Sequence, residues 1–118
     1  MDYALSQTLA ILERKYGYQM KRVIVKDKGE TVAFLIWSDK GGDVDNLNND
    51  KEYQVILATA VNPEYRRRGL LKTMLLKSGI QKPYLVQTSD LSPTGLWEKL
   101  GCKKVKELGG GNYIERCN

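Results

Sequence analysis

A chain of 118 residues, 42% of them hydrophobic, can bury one core and is too short for two, so residues 1–118 read as a single domain. Its 19 lysines and arginines against 14 acidic residues leave a net charge of +5, modest and unevenly spread, which argues against a uniformly basic nucleic-acid binder. There is no histidine, which excludes Ser-His-Asp and Cys-His catalysis and any histidine-based zinc site.

Asp2 is placed to cap a first helix, whose stripe of Leu5, Leu9, Leu12 and Tyr16 ends near Gly17. Residues 22–25 read as a strand, Asp27-Lys28-Gly29 as a hairpin turn and 31–37 as the partner strand. A polar loop follows over 39–50, and Asp39, Asp43, Asp45, Asp50 and Glu52 crowd this stretch. Residues 54–61 are an apolar strand, and after an Asn62-Pro63 turn a helix runs from about 63 to 78 with Leu71, Met74 and Leu75 inward. The short apolar strand at 83–88 completes a strand–helix–strand unit, which should cross over right-handed into a parallel pair. Residues 92–100 read as a short helix, capped by Ser92 with Pro93 next and stopped by Gly101. A last hairpin pairs 103–107 with 112–116 across Gly109-Gly110-Gly111. This order implies a mixed sheet with helices packed on it.

The N-terminus has no basic-then-apolar leader pattern, and no apolar run approaches membrane-spanning length, so a soluble, cytoplasmic protein is expected. Cys102 and Cys117 are too few for a disulfide framework or a structural zinc site, and both are expected as reduced thiols.

The most specific local chemistry lies at 62–73. A helix start presents unpaired N–H groups and the positive end of its dipole, an arrangement suited to anions. Arg66, Arg67 and Arg68 add charge there, and Gly69 lets a ligand approach the backbone. Such a site fits a phosphorylated cofactor.

Two segments carry a family resemblance. Ala60-Val61-Asn62-Pro63-Glu64-Tyr65-Arg66-Arg67-Arg68-Gly69-Leu70-Leu71 resembles the strand-plus-helix cofactor signature of the GNAT superfamily of acyl-CoA-dependent N-acetyltransferases. Arg66 and Gly69 match its kernel, while Leu71 stands where a small residue is usual. Val86-Gln87-Thr88-Ser89-Asp90, followed by Leu96-Trp97-Glu98-Lys99-Leu100-Gly101-Cys102, resembles the family's closing motif, with Trp97 in place of its tyrosine. The likeness runs from about Arg22 onward, and the family's first strand and part of its N-terminal helical region have no counterpart.

The resemblance implies an α/β (α+β) fold: a mixed, mostly antiparallel sheet with a splayed parallel strand pair and helices on both faces. It also implies acetyl transfer from acetyl-CoA to an amine by direct attack. Thr59, Ala60 and Val61 would contact the pantetheine arm, and the N–H groups of Arg66, Arg67, Arg68, Gly69, Leu70 and Leu71 would hold the pyrophosphate. Lys72 and Thr73 would reach further phosphate oxygens, and Asp90 takes the place of an asparagine that touches the cofactor. For proton transfer the candidates are Glu52 as base and Tyr84, with Tyr53, as substitute acid, because an indole at 97 cannot deliver a proton. Trp97 itself reads as a core aromatic or as a wall of the acyl pocket. The acidic loop before the cofactor strand would suit a cationic acceptor, and thin N-terminal cover would favour a homodimer. The alternative is a GNAT-like CoA-binding module that has lost turnover.

Overall fold

Alternation along one strand sets the architecture. In the computed structural model, which describes residues 1–16, 20–39, 53–89 and 95–118, the apolar run after the first turn forms β2 (Glu30–Ser38), buried along most of its length. Ala33, Leu35 and Trp37 point into one core cluster and Phe34 and Ile36 into another, since successive strand side chains take opposite faces. Each face needs a cover. α1 (Asp2–Tyr16) covers the Phe34 face with Leu5, Leu9 and Leu12, and α2 (Leu70–Ser78) covers the Leu35 face with the fully buried Met74.

The remaining strands are β1 (Met20–Asp27), β3 (Val55–Val61), β4 (Tyr84–Ser89), β5 (Cys102–Gly109) and β6 (Asn112–Cys117). They form one six-stranded sheet in the order β1-β2-β3-β4-β6-β5, antiparallel throughout except for β3 beside β4. The β1–β2 turn is of the primed kind that suits strand twist, with Lys28 at φ 53° and Gly29 at φ 79°.

Four local expectations are corrected. Asp2 does not cap α1: its Oδ1 accepts from the Thr31 N–H at 3.1 Å, tying the helix start to β2. The helix expected over 63–78 is two pieces, a 3-10 turn at Pro63–Tyr65 and then α2. Between them Arg66 is extended and Arg67 and Gly69 lie at φ 64° and 73°, which no continuous helix tolerates. The closing helix is, in its described part, a 3-10 turn at Glu98–Leu100 stopped by Gly101 at φ 90°. Cys102 and Cys117, expected as separate thiols, are joined by a disulfide, because β5 and β6 set them directly opposite each other.

No helix among the described residues is long and apolar enough to cross a membrane. The expected helix end at Gly17, most of the acidic loop with Glu52, and Asp90, Ser92 and Pro93 lie outside the described residues.

Candidate functional site

The site begins with one surplus residue. β2 pairs with β3 through Ile36↔Ala58 and then Trp37↔Ile56, so Leu57 has no partner of its own. Leu57 and Ala58 consequently pack on the same face of the sheet, a β-bulge that bends the strand. On the other side of β3, parallel pairing with β4 comprises Val55↔Leu85 and Ile56↔Val86 and stops level with the bulge. β3 continues to Val61 and β4 to Ser89 as separating strands, and a wedge opens between their carboxyl ends. It holds a cavity of about 230 Å³ lined by Leu57, Ala58, Thr59, Gln87, Thr88, Trp97 and their neighbours.

Above the wedge lies a larger cavity of about 660 Å³. Thr59, Ala60 and Val61 form its β3 wall, Arg66 and Arg67 its basic rim, and Gly69, Leu70 and Leu71 its base. These predicted cofactor residues are thus brought together. Arg68, Lys72 and Thr73 do not line it: the Arg68 guanidinium lies over the Tyr65 ring at 4.8 Å, and the Thr73 hydroxyl donates to the Gly69 carbonyl at 3.0 Å.

The local geometry has physical causes. The Asn62 side chain accepts from the Glu64 N–H at 3.0 Å and shapes the first turn. Arg66 Nε donates to the Val61 carbonyl at 3.3 Å, pinning the loop to the strand end. The Arg66 N–H is engaged with the Pro63 carbonyl, and the first helical bond runs from the Thr73 N–H to the Gly69 carbonyl. The N–H groups of Leu70, Leu71 and Lys72 precede that bond and have no partner within α2. A Cβ on Gly69 would meet nothing within 4 Å, so the backbone there faces open space. Leu71 packs its side chain on the core cluster and presents only part of itself to the cavity. These residues fit a pyrophosphate: first-turn donors, two guanidinium groups and an open glycine.

The catalytic candidates fare differently. Tyr84 is buried at the lower end of β4, lines neither cavity, and has its phenol pushed up by burial. Tyr53 packs under the opposite face of the sheet. Trp97 is a core residue, 3% exposed, and also lines the wedge.

The structure adds residues that the sequence pattern passed over. Tyr65, Ser89 and Leu96 line the larger cavity, and the Tyr65 hydroxyl donates to Asp27 Oδ2 in the β1–β2 turn. Gln87, in the wedge, accepts from the Tyr16 hydroxyl at 3.2 Å. Glu115 is buried on β6; burial, then the Glu98 carboxyl beside it, push its own carboxyl up to about 7. The one available signal for Glu115 was parity, since it shares a strand face with Cys117.

No family model matches this chain, and no curated protein does. Solved structures do match. PH1933 from Pyrococcus horikoshii overlaps 99% of this chain and 76% of its own at TM-score 0.68 and 17% identity. A structure described as histone acetyltransferase HPA2 and related acetyltransferase, from Corynebacterium glutamicum, overlaps 97% of this chain and 74% of its own at TM-score 0.65 and 15% identity. The PaiA N-acetyltransferase of Thermoplasma acidophilum, solved with coenzyme A, overlaps 93% and 67% at TM-score 0.60 and 16% identity. Identities this low speak for the fold alone. A mixed sheet opening between its one parallel pair, matched over almost the whole chain, is the fold of the GNAT superfamily.

Proposed function

We propose that this chain is an acyltransferase that binds acetyl-CoA in the cleft and delivers the acetyl group to an amine. One observation carries the reading: Thr59 and Ser89 line both cavities, so the wedge and the basic cradle form one continuous path. A flexible arm with a diphosphate at its far end needs both parts in that order. The coenzyme A in the PaiA structure supports the ligand class.

Beyond the bulge, β3 has lost its neighbour on one side, and its outward backbone groups are those of a sheet edge. They can pair with the amides of a pantetheine arm as another strand would. The amides of Leu70, Leu71 and Lys72 and the guanidinium groups of Arg66 and Arg67 would hold the pyrophosphate. Acetyl-CoA, when bound, supplies an activated acyl group. The β3 amides would polarise its carbonyl, and the wedge would fix the angle from which the amine approaches. Glu52, on the segment leading into β3, is the candidate to receive the amine proton. Tyr84 receives no role, since burial separates it from the cleft. Residues 1–118 are taken as one domain for this function.

Trp97 favours a second reading, a CoA-binding module without turnover, because the wedge wall it forms carries no proton donor strong enough to protonate a thiolate. Thermal-shift titration with acetyl-CoA tests both readings. A melting temperature that rises with ligand supports an intact cleft. No rise at about millimolar ligand, where even a weak site should be filled, sinks both. Release of free thiol over a panel of amines then separates enzyme from silent binder.

A further inference from the structure

Glu115 is 1% exposed, and among the described residues its Oε1 has no hydrogen-bond partner. It stands on β6 opposite Val86 of β4, the last β4 residue paired with β3, so it lies level with the root of the wedge. Beside it is Glu98, the residue that directly follows the wedge wall Trp97. Glu98 is exposed and Glu115 is not, and a buried carboxylate beside a second carboxylate is costly to ionise unless a cation joins them.

Among the described residues, the groups that face Glu115 do not supply that cation in full. From the closing turn there is Glu98; from β5 there is Lys104; on the same face of β6 and β4 are the neutral phenols Tyr113 and Tyr84. The Lys104 ammonium lies 4.2 Å from the Tyr113 ring centre and 3.7 Å from Glu107 Oε1, and Glu115 Oε1 stays unpartnered. A proton is the remaining way to make the pair compatible. We propose that Glu115 and Glu98 share one proton, and that this proton seats the Trp97 segment against the sheet and so sets the width of the wedge.

The segment moves as a unit because the Trp97 carbonyl accepts from both the Leu100 N–H at 3.0 Å and the Cys102 N–H at 3.1 Å. When the shared proton passes to water, the two carboxylates repel. Glu98, the exposed member, swings outward and draws the Trp97 wall with it. Glu115 and Glu98 are thus positioning residues, acting on the cleft through Trp97. Burial and the Glu98 charge, opposed by Lys104, place this event at about 7.

The direct test follows the Trp97 indole N–H resonance of the intact protein from about pH 5.5 to 8.5, a range bracketing the expected midpoint. Wild type is expected to titrate near 7 and Glu115→Gln to show no titration, since the amide mimics the protonated acid. Glu98→Gln, an exposed change that keeps the fold, should lower the midpoint by roughly one unit or more, because it removes a like charge. A flat wild-type profile, an unchanged profile in Glu115→Gln, or an unmoved midpoint in Glu98→Gln overturns the proposal. If Glu115→Gln does not fold, Glu98→Gln alone decides.

A second arm rests on the cofactor reading. Acetyl-CoA affinity should fall about three- to tenfold across that range in wild type, and Glu115→Gln should lose this dependence. Equal pH dependence in the two proteins overturns the link to the cleft. Failure to bind at any pH overturns the cofactor reading and leaves the resonance test standing.

Discussion

Gly69 combines a backbone demand with a spatial one. Its φ of 73° lies where side chains with a Cβ are strained, and the space its missing Cβ would take is open cavity. Gly69→Val should therefore cost about 1–2 kcal/mol through the backbone, lowering the melting temperature by several degrees. It should also abolish the acetyl-CoA thermal shift by filling the cradle. Gly69→Ala carries most of the same strain with a smaller obstruction and should keep part of the shift. A full shift in the valine variant would mean that the pyrophosphate does not pass over Gly69. The place of Arg66 and Gly69 beside the cavity was legible in the sequence because its signals are local: charge, a turn and a glycine ahead of an apolar helix. Glu115 was not, since a glutamate between isoleucine and arginine in a terminal hairpin reads as a solvent-facing charge. Its burial comes from β4 and the closing turn, which are remote in sequence.

Elements fixed by neighbours in sequence were the readable ones. Both hairpins follow from glycine turns flanked by alternating strands, and the crossover from β3 through α2 to β4 follows from chirality. The break before α2 was missed because arginine at φ 64° is an exception to side-chain preference, and no composition signal marks it. Counting cysteines hid the disulfide: two are too few for a framework, although pairing 103–107 with 112–116 already sets Cys102 opposite Cys117. With a sequence separation of 15 between its ends, this link should contribute about 3 kcal/mol. Urea unfolding of oxidised and reduced protein checks it: the oxidised form should unfold at the higher midpoint, and equal midpoints would show that the hairpin needs no covalent help.

Across the whole molecule, stability should respond to pH in two opposite senses. The Thr31 bonds hold Asp2, and chiefly the bond to Lys21 holds Asp39, below the ordinary value of 3.8. Their contribution is present above that value and is lost as pH falls through the lower native one. Glu115 is raised from 4.5 to about 7, so its contribution is full below 4.5 and is lost as pH rises through about 7. Urea midpoints should thus peak between the ordinary values of 3.8 and 4.5 and decline towards about pH 8. Glu115→Gln should flatten the decline and leave the acid limb unchanged. A wild-type midpoint still climbing at pH 8 contradicts this account.

The bulge at Leu57 makes the cleft a matter of arithmetic. Ala58 already faces Ile36 and Ile56 already faces Trp37, so a strand one residue shorter could keep both pairs with its faces undisturbed. Such a strand would run straight beside β4, and a continuous sheet would take the place of the opening. A cleft in this architecture can therefore be gained by inserting a single residue and erased by deleting it, at the cost to the core of Leu57 alone, which packs with Val55, Leu85 and Ile114.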